Sequence, residues 1–187
     1  MTTIFVAGSI TIKELDPLII ERLKKIVDQN FNVVVGDANG VDSSVQQELL
    51  QMGCRTTTVF SSSPKPRNNL GSWPVNFVKT DHPRGTRAFF TAKDIQMADK
   101  ADCGLMVWDA KSTGTLSNVI ELLARKKYSV VFINKKKEFV IVKSPDDIDI
   151  LIKNMSAAAY SKAEEKIKIS EKLASLKNYQ MNMFAAS

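Results

Sequence analysis

Three short stretches of this 187-residue sequence carry residue types that grip anions or move protons. The first, Gly8-Ser9-Ile10-Thr11, is small and hydroxyl-bearing, so backbone N–H groups can come close to an anion there; a plain turn reads the same way. The second is Gly36-Asp37-Ala38-Asn39-Gly40-Val41-Asp42. Its glycines bracket a strand-to-helix turn, allow positive backbone angles and leave helix N–H groups pointing outward. Asp42 falls in the first helical turn, where the dipole favours a carboxylate. Two acids exceed what one cap needs, so Asp37 and Asp42 are read as site lining, with capping as the alternative. The third stretch, Trp108-Asp109-Ala110-Lys111-Ser112-Thr113-Gly114-Thr115-Leu116-Ser117-Asn118, sets an acid, hydroxyls and a glycine before a helix N-terminus. That is a cradle for phosphate or sugar, without the Gly-Lys-Ser/Thr ending of a Walker loop.

The elements that must position these loops are legible as β-branched runs alternating with helical patterns up to about residue 134. Strands are expected at 4–7, 32–35, 56–60, 105–108 and 129–133, and helices at 18–29, 41–52, 86–98 and 115–126. Asp16-Pro17 is a cap followed by proline at the first helical position, and Gly53 suits the left-handed residue past a helix end. Such alternation implies a Rossmann-like, doubly wound α/β fold with a mainly parallel sheet, whose ligands bind outside the carboxyl ends of the strands. Residues 1–134 form that domain. Residues 135–187 add an antiparallel edge strand at 139–142, a helix starting at Ser144-Pro145, and a Lys/Glu/Ala-rich terminal helix from Ser161. The terminal helix has sparse apolar positions (Ile167, Leu173, Leu176) and packs on its own domain or on a second copy, so a homo-oligomer is expected.

The turns 36–42 and 101–115 resemble the SLOG superfamily. Within it the likeness is to the YspA/YpsA-related branch, whose members carry a GGAxGxD turn and a later W-D-G-x-S-x-GT turn. More distantly the chain is similar to LOG phosphoribohydrolases, nucleoside deoxyribosyltransferases and DNA-processing proteins. The resemblance spans residues 1 to about 134 and implies a site for nucleotides or nucleotide-derived ligands. The hydrolytic relatives place a Glu four residues after the glycine of the last turn. Here that residue is Asn118, which hydrogen-bonds a ribose but supplies no carboxylate. Glycosidic chemistry would then fall to Asp42 or Asp109. An Arg-Asn pair before the fourth strand is only partly met, by Arg87 and by Lys93 with Asp94.

The segment 61–83 breaks the rhythm with Ser, Pro and Asn and reads as a functional lid or mobile loop. Lys65, Arg67, Lys79, Arg84, Arg87 and Lys93 in and after it could fold over the mouth and neutralise phosphate. Trp73 is the expected base-stacking residue, with Phe89 and Phe90 assigned to the core. His82, the lone histidine, is read as incidental. One histidine and two separate cysteines, Cys54 and Cys103, rule out a zinc site of ordinary ligand composition, and no cofactor is expected. A net charge of +6 favours anionic partners but falls short of a dedicated DNA-coating protein. The lack of a signal-peptide pattern and of a long apolar run points to the cytoplasm and away from membranes.

The favoured function is binding, for sensing or sequestration, of a nucleotide or nucleotide-derived ligand. The expected ligand-binding residues are Gly8, Ser9, Gly36, Asp37, Asn39, Gly40, Val41, Arg84, Arg87, Ser112, Thr113, Gly114, Thr115 and Asn118, with Asp42 and Asp109 as candidate catalytic acids. The alternative is an N-glycosidic hydrolase or transferase. A nucleic-acid-binding module is third.

Overall fold

The computed structural model describes residues 1–185, with side chains to residue 178. Its sheet contains β1 (Thr3–Gly8), β2 (Asn32–Gly36), β3 (Thr57–Ser61), β4 (Val75–Phe77), β5 (Cys103–Trp108), β6 (Ser129–Ile133) and β7 (Glu138–Val142). The helices are α1 (Pro17–Asp28), α2 (Val41–Gln51), α3 (Arg87–Lys100), α4 (Thr113–Ala124), α5 (Pro145–Ile152), α6 (Ala157–Ile167) and α7 (Ile169–Ala185). The strand order is β4-β3-β2-β1-β5-β6-β7. Every neighbouring pair is parallel except β6 and β7.

Pleating sorts the core into two layers. Ile4 and Val6 of β1 face one side, with Ile19, Leu23 and Ile26 of α1 and Val41, Val45 and Leu49 of α2. Phe5 and Ala7 face the other, against Met97 of α3 and Leu116, Val119 and Ile120 of α4. The chain winds outward from β1 to β4 and then returns to lay β5 on the other side of β1. The switch point between β1 and β5 therefore sits beside the first and third of the chemically suggestive loops. Among the described residues no helix is long and apolar enough to cross a membrane.

The structure departs from the sequence expectations in two places. Segment 61–83 is not a free lid. It contributes β4, and Trp73 is buried in the α1/α2 layer with its indole N–H donating to the Cys54 carbonyl at 2.8 Å. The segment from Ser161 is not one helix but the end of α6 followed by α7, divided at Lys168, whose φ of 50° breaks the ladder. Ala163, Ile167, Ile169 and Leu173 are buried in the same layer as Trp108, and Leu176 packs against them. Those apolar positions are therefore covered by their own chain, which removes the argument for an oligomer built on them.

Candidate functional site

The three loops meet at the carboxyl end of the sheet, and Ser9 ties them together. Its N–H donates to the Val107 carbonyl at 2.9 Å, its Oγ accepts from the Asp109 N–H at 3.1 Å, and its carbonyl accepts from Val41 N–H at 3.3 Å. Gly8 lies so close to the Val107 carbonyl and the Val41 side chain that a Cβ has no room. Gly40 has φ 76° and runs against the backbone of Ile10, so a side chain there would be both strained and blocked. Gly8, Ser9, Gly40 and Val41 thus bring the loops into register; Val41 is wholly buried beneath them.

An inner cavity of about 350 Å³ opens at this junction, lined among others by Gly8, Asp42, Arg67, Phe90, Lys93, Asp94, Gly114 and Asn118. At its base Lys93 Nζ lies 2.7 Å from Asp94 Oδ1 and 3.9 Å from Asp42 Oδ2. Gly36 exists for this cluster, because a Cβ there would strike both Asp42 Oδ2 and Lys93 Nζ. Burial pushes the Asp42 carboxyl up to about 6, against the pull of Lys93 and the Ala38 N–H. Burial opposes the Lys93 ammonium too, yet Asp94 and Asp42 outweigh it and hold the lysine above its ordinary value.

Asn118 is buried, lines the cavity, and its side-chain amide has no partner among the described residues. Its neighbours are satisfied: Ser112 caps α4, its Oγ accepting from Thr115 N–H at 3.3 Å and from Thr115 Oγ1 at 3.0 Å. The N–H groups of Thr113 and Gly114, in the first turn of α4, have no protein acceptor among the described residues. A polar ligand group placed here meets open donors at a positive helix end, a carboxyl that titrates near pH 6, and a free amide.

Other expected site residues do different work. Asp37 Oδ2 accepts from Ser61 Oγ at 3.0 Å, and Arg67 bonds both Asp37 oxygens, Nη2 to Oδ1 at 2.7 Å and Nε to Oδ2 at 3.2 Å. Burial opposes ionisation of Asp37, but Arg67 outweighs it and keeps the carboxyl below its usual range. Asn39 is exposed and its Oδ1 accepts from Asn68 Nδ2 at 3.0 Å. These residues anchor the 61–83 segment to the β2–α2 turn. Asp109 is likewise committed: Oδ1 accepts from Ser112 N–H at 2.7 Å and Lys111 N–H at 2.9 Å, Oδ2 from Thr11 Oγ1 at 2.8 Å. Those bonds outweigh its burial and hold it ionised below the normal value. Arg84 sits exposed on the turn before α3, in the wall of neither mouth cavity. Arg87 Nη1 donates to Thr113 Oγ1 at 3.0 Å and faces an outer cavity beside the first.

Four residues take roles the sequence did not assign. Phe90 is not core but lies at the mouth, with the Arg67 guanidinium 4.8 Å from its ring centroid, and so occupies the place expected of Trp73. Lys93 is the buried hub of the acid cluster. Its signal was present: Phe89, Lys93 and Met97 recur every four residues, which places a lysine in the buried stripe of α3 where it needs carboxylate partners. Lys162 and Lys166 of α6, remote in sequence from the motif-bearing loops, reach the outer cavity that those loops line.

Known protein families and curated proteins return no match to this chain. Among solved structures, DNA processing protein A from Helicobacter pylori, described for its single-stranded DNA binding mode, aligns with a TM-score of 0.55 at 16% identity. The alignment covers 89% of this chain and 80% of that one. The likeness is one of fold, a Rossmann-like α/β sheet.

Proposed function

We propose that this protein binds a nucleotide or nucleotide-derived ligand at the carboxyl end of its sheet, to sense or sequester it. The observation that carries this is Asn118, a buried amide left open toward a cavity whose rim is the free N-terminus of α4. Its polar atoms have no protein partner and are open to the cavity, so a ligand hydroxyl or ring nitrogen can pair with the amide in place of water. The α4 N–H groups suit the phosphate, Asn118 the ribose, and Phe90 offers an apolar face at the mouth. The SLOG resemblance of the same turns supports the reading.

Asn118→Ala is expected to weaken nucleotide binding by about tenfold, the value of one hydrogen bond, in titration calorimetry against mono- and dinucleotides. No binding by wild-type protein at millimolar nucleotide would remove the reading. A second reading is favoured by one observation. Asp42, in the cavity wall with a pKa near 6, suits proton transfer at an N-glycosidic bond, whereas Asp109 is fully committed to its turn. Free base released during the same titration, and absent with Asp42→Asn, would establish that activity. The Helicobacter pylori neighbour supports a nucleic-acid module as a third reading; strand binding would fall steeply with salt, pocket binding mildly.

A further inference from the structure

We propose that the outer cavity is a second anion subsite, completed by Lys162 and Lys166 of α6, and that the ligand is a nucleotide carrying a diphosphate or longer chain. The inference rests on the nucleotide reading above and specifies its ligand. The outer cavity, about 470 Å³, shares Ile10, Phe90, Asp94, Ser112 and Gly114 with the inner one. A ligand seated on the α4 N-terminus therefore touches both.

Arg87, Lys111, Lys162 and Lys166 stand in the outer wall. Among the described residues none of them has a carboxylate within ion-pair distance, although Lys93, Lys137 and Lys177 all find one elsewhere in the chain. The acids in the same wall are already engaged: Asp94 with Lys93 at 2.7 Å, Asp109 with Thr11 and two backbone N–H groups. The cavity is thus left with a local excess of positive charge that comes from three separate elements. Such convergence carries mutual repulsion, which an anionic ligand relieves.

The helix that bears the lysines is itself anchored. Ala163 and Ile167, each one residue on from Lys162 and Lys166, are buried in the core, so the intervening turn of α6 presents both lysines on its mouth side. Arg87 is fixed on Thr113 Oγ1, at the first turn of α4. One phosphate on the open N–H groups of Thr113 and Gly114 leaves the next projecting outward between Arg87 and the lysines. Asn118, unpartnered and buried in the adjoining cavity, marks the inner end of the same ligand. Arg87, Lys111, Lys162 and Lys166 ring one concave volume, which fits a compact polyanion.

The experiment is titration calorimetry of AMP against ADP, and GMP against GDP, with wild type and with the Lys162→Gln/Lys166→Gln double variant. Both lysines are exposed, so the variant keeps its fold. Wild type is expected to bind the diphosphate at least about tenfold more tightly than the monophosphate, as a charge-assisted contact gives. The double variant is expected to lose that increment while holding monophosphate affinity. Equal affinity for mono- and diphosphate in wild type overturns the second subsite and leaves the nucleotide reading standing. Equal losses for both ligands overturn it as well. An oligo-dT whose binding falls in the variant while ADP binding does not would assign the lysines to a strand. Failure of every nucleotide to bind removes both readings together.

Discussion

At the scale of single residues the site is governed by the buried Asp42 and Lys93 and the partly buried Asp94. The raised pKa of Asp42 has a definite sign for stability. Between its unfolded value of 3.8 and about 6, the native state holds a proton that the unfolded chain has released. Rising pH through that window therefore costs stability, and a shift of this size corresponds to about 3 kcal/mol at most. Asp37 and Asp109, whose values are depressed, act oppositely and lose their contribution only in stronger acid. Asp42→Asn keeps an acceptor for the Ala38 N–H and cannot titrate, and Lys93 retains Asp94. Urea denaturation from pH 4 to 7 is expected to show the variant gaining on wild type as pH rises, with the difference levelling above pH 6. A difference that stays constant with pH would show that Asp42 is ionised throughout. The position of Asp42 in a Gly-bracketed turn was legible in the sequence. Its counter-ion was not, because Lys93 lies 51 positions away and only the packing of α3 brings the two together.

At the scale of elements, strands and helices up to residue 134 were readable because each carried its own period and its own punctuation: Asp16-Pro17, Gly53, Ser112. Segment 61–83 was not, because its order comes from partners remote in sequence. Arg67 and Asn68 grip the 37–39 turn, Gln46 Nε2 donates to the Asn68 carbonyl at 3.3 Å, and Leu70 N–H donates to Gln46 Oε1 at 3.0 Å. Turn-rich composition says that a stretch is irregular and nothing about what holds it still. Arg67→Ala removes the guanidinium from Asp37 and leaves a buried carboxylate supported by Ser61 and one backbone N–H. A cost of about 2 kcal/mol is expected, together with faster amide exchange across 62–72 and 37–40. Exchange confined to 62–72 would mean that the two turns do not hold each other.

At the scale of the whole molecule, the tail beyond residue 134 is continuous with the core on the α3/α4 face. Ile169 is fully buried in the layer that contains Trp108. Ile169→Ala is expected to cost about 2–5 kcal/mol, the ordinary range for a large-to-small change in a core. Far-UV circular dichroism and tryptophan fluorescence should shift together. Loss of helical signal while tryptophan emission is unchanged would mark α6 and α7 as a separate folding unit. The sequence showed the tail's apolar positions but not which surface they meet, since a stripe of Ile and Leu fits its own sheet as readily as another chain.

The mouth draws on residues from Ala7 to Lys166, so more than four fifths of the chain separates its first wall from its last. During synthesis β1 emerges first and can pair with β2, yet its other neighbour, β5, arrives about a hundred residues later. Until then the central strand has one open edge and the pocket has half a rim. The inner cavity thus has its last lining residue once α4 has emerged, whereas the outer wall is completed only after α6 has been made and docked. A translation product that stops short of residue 162 carries every lining residue of the inner cavity but neither lysine of the outer wall.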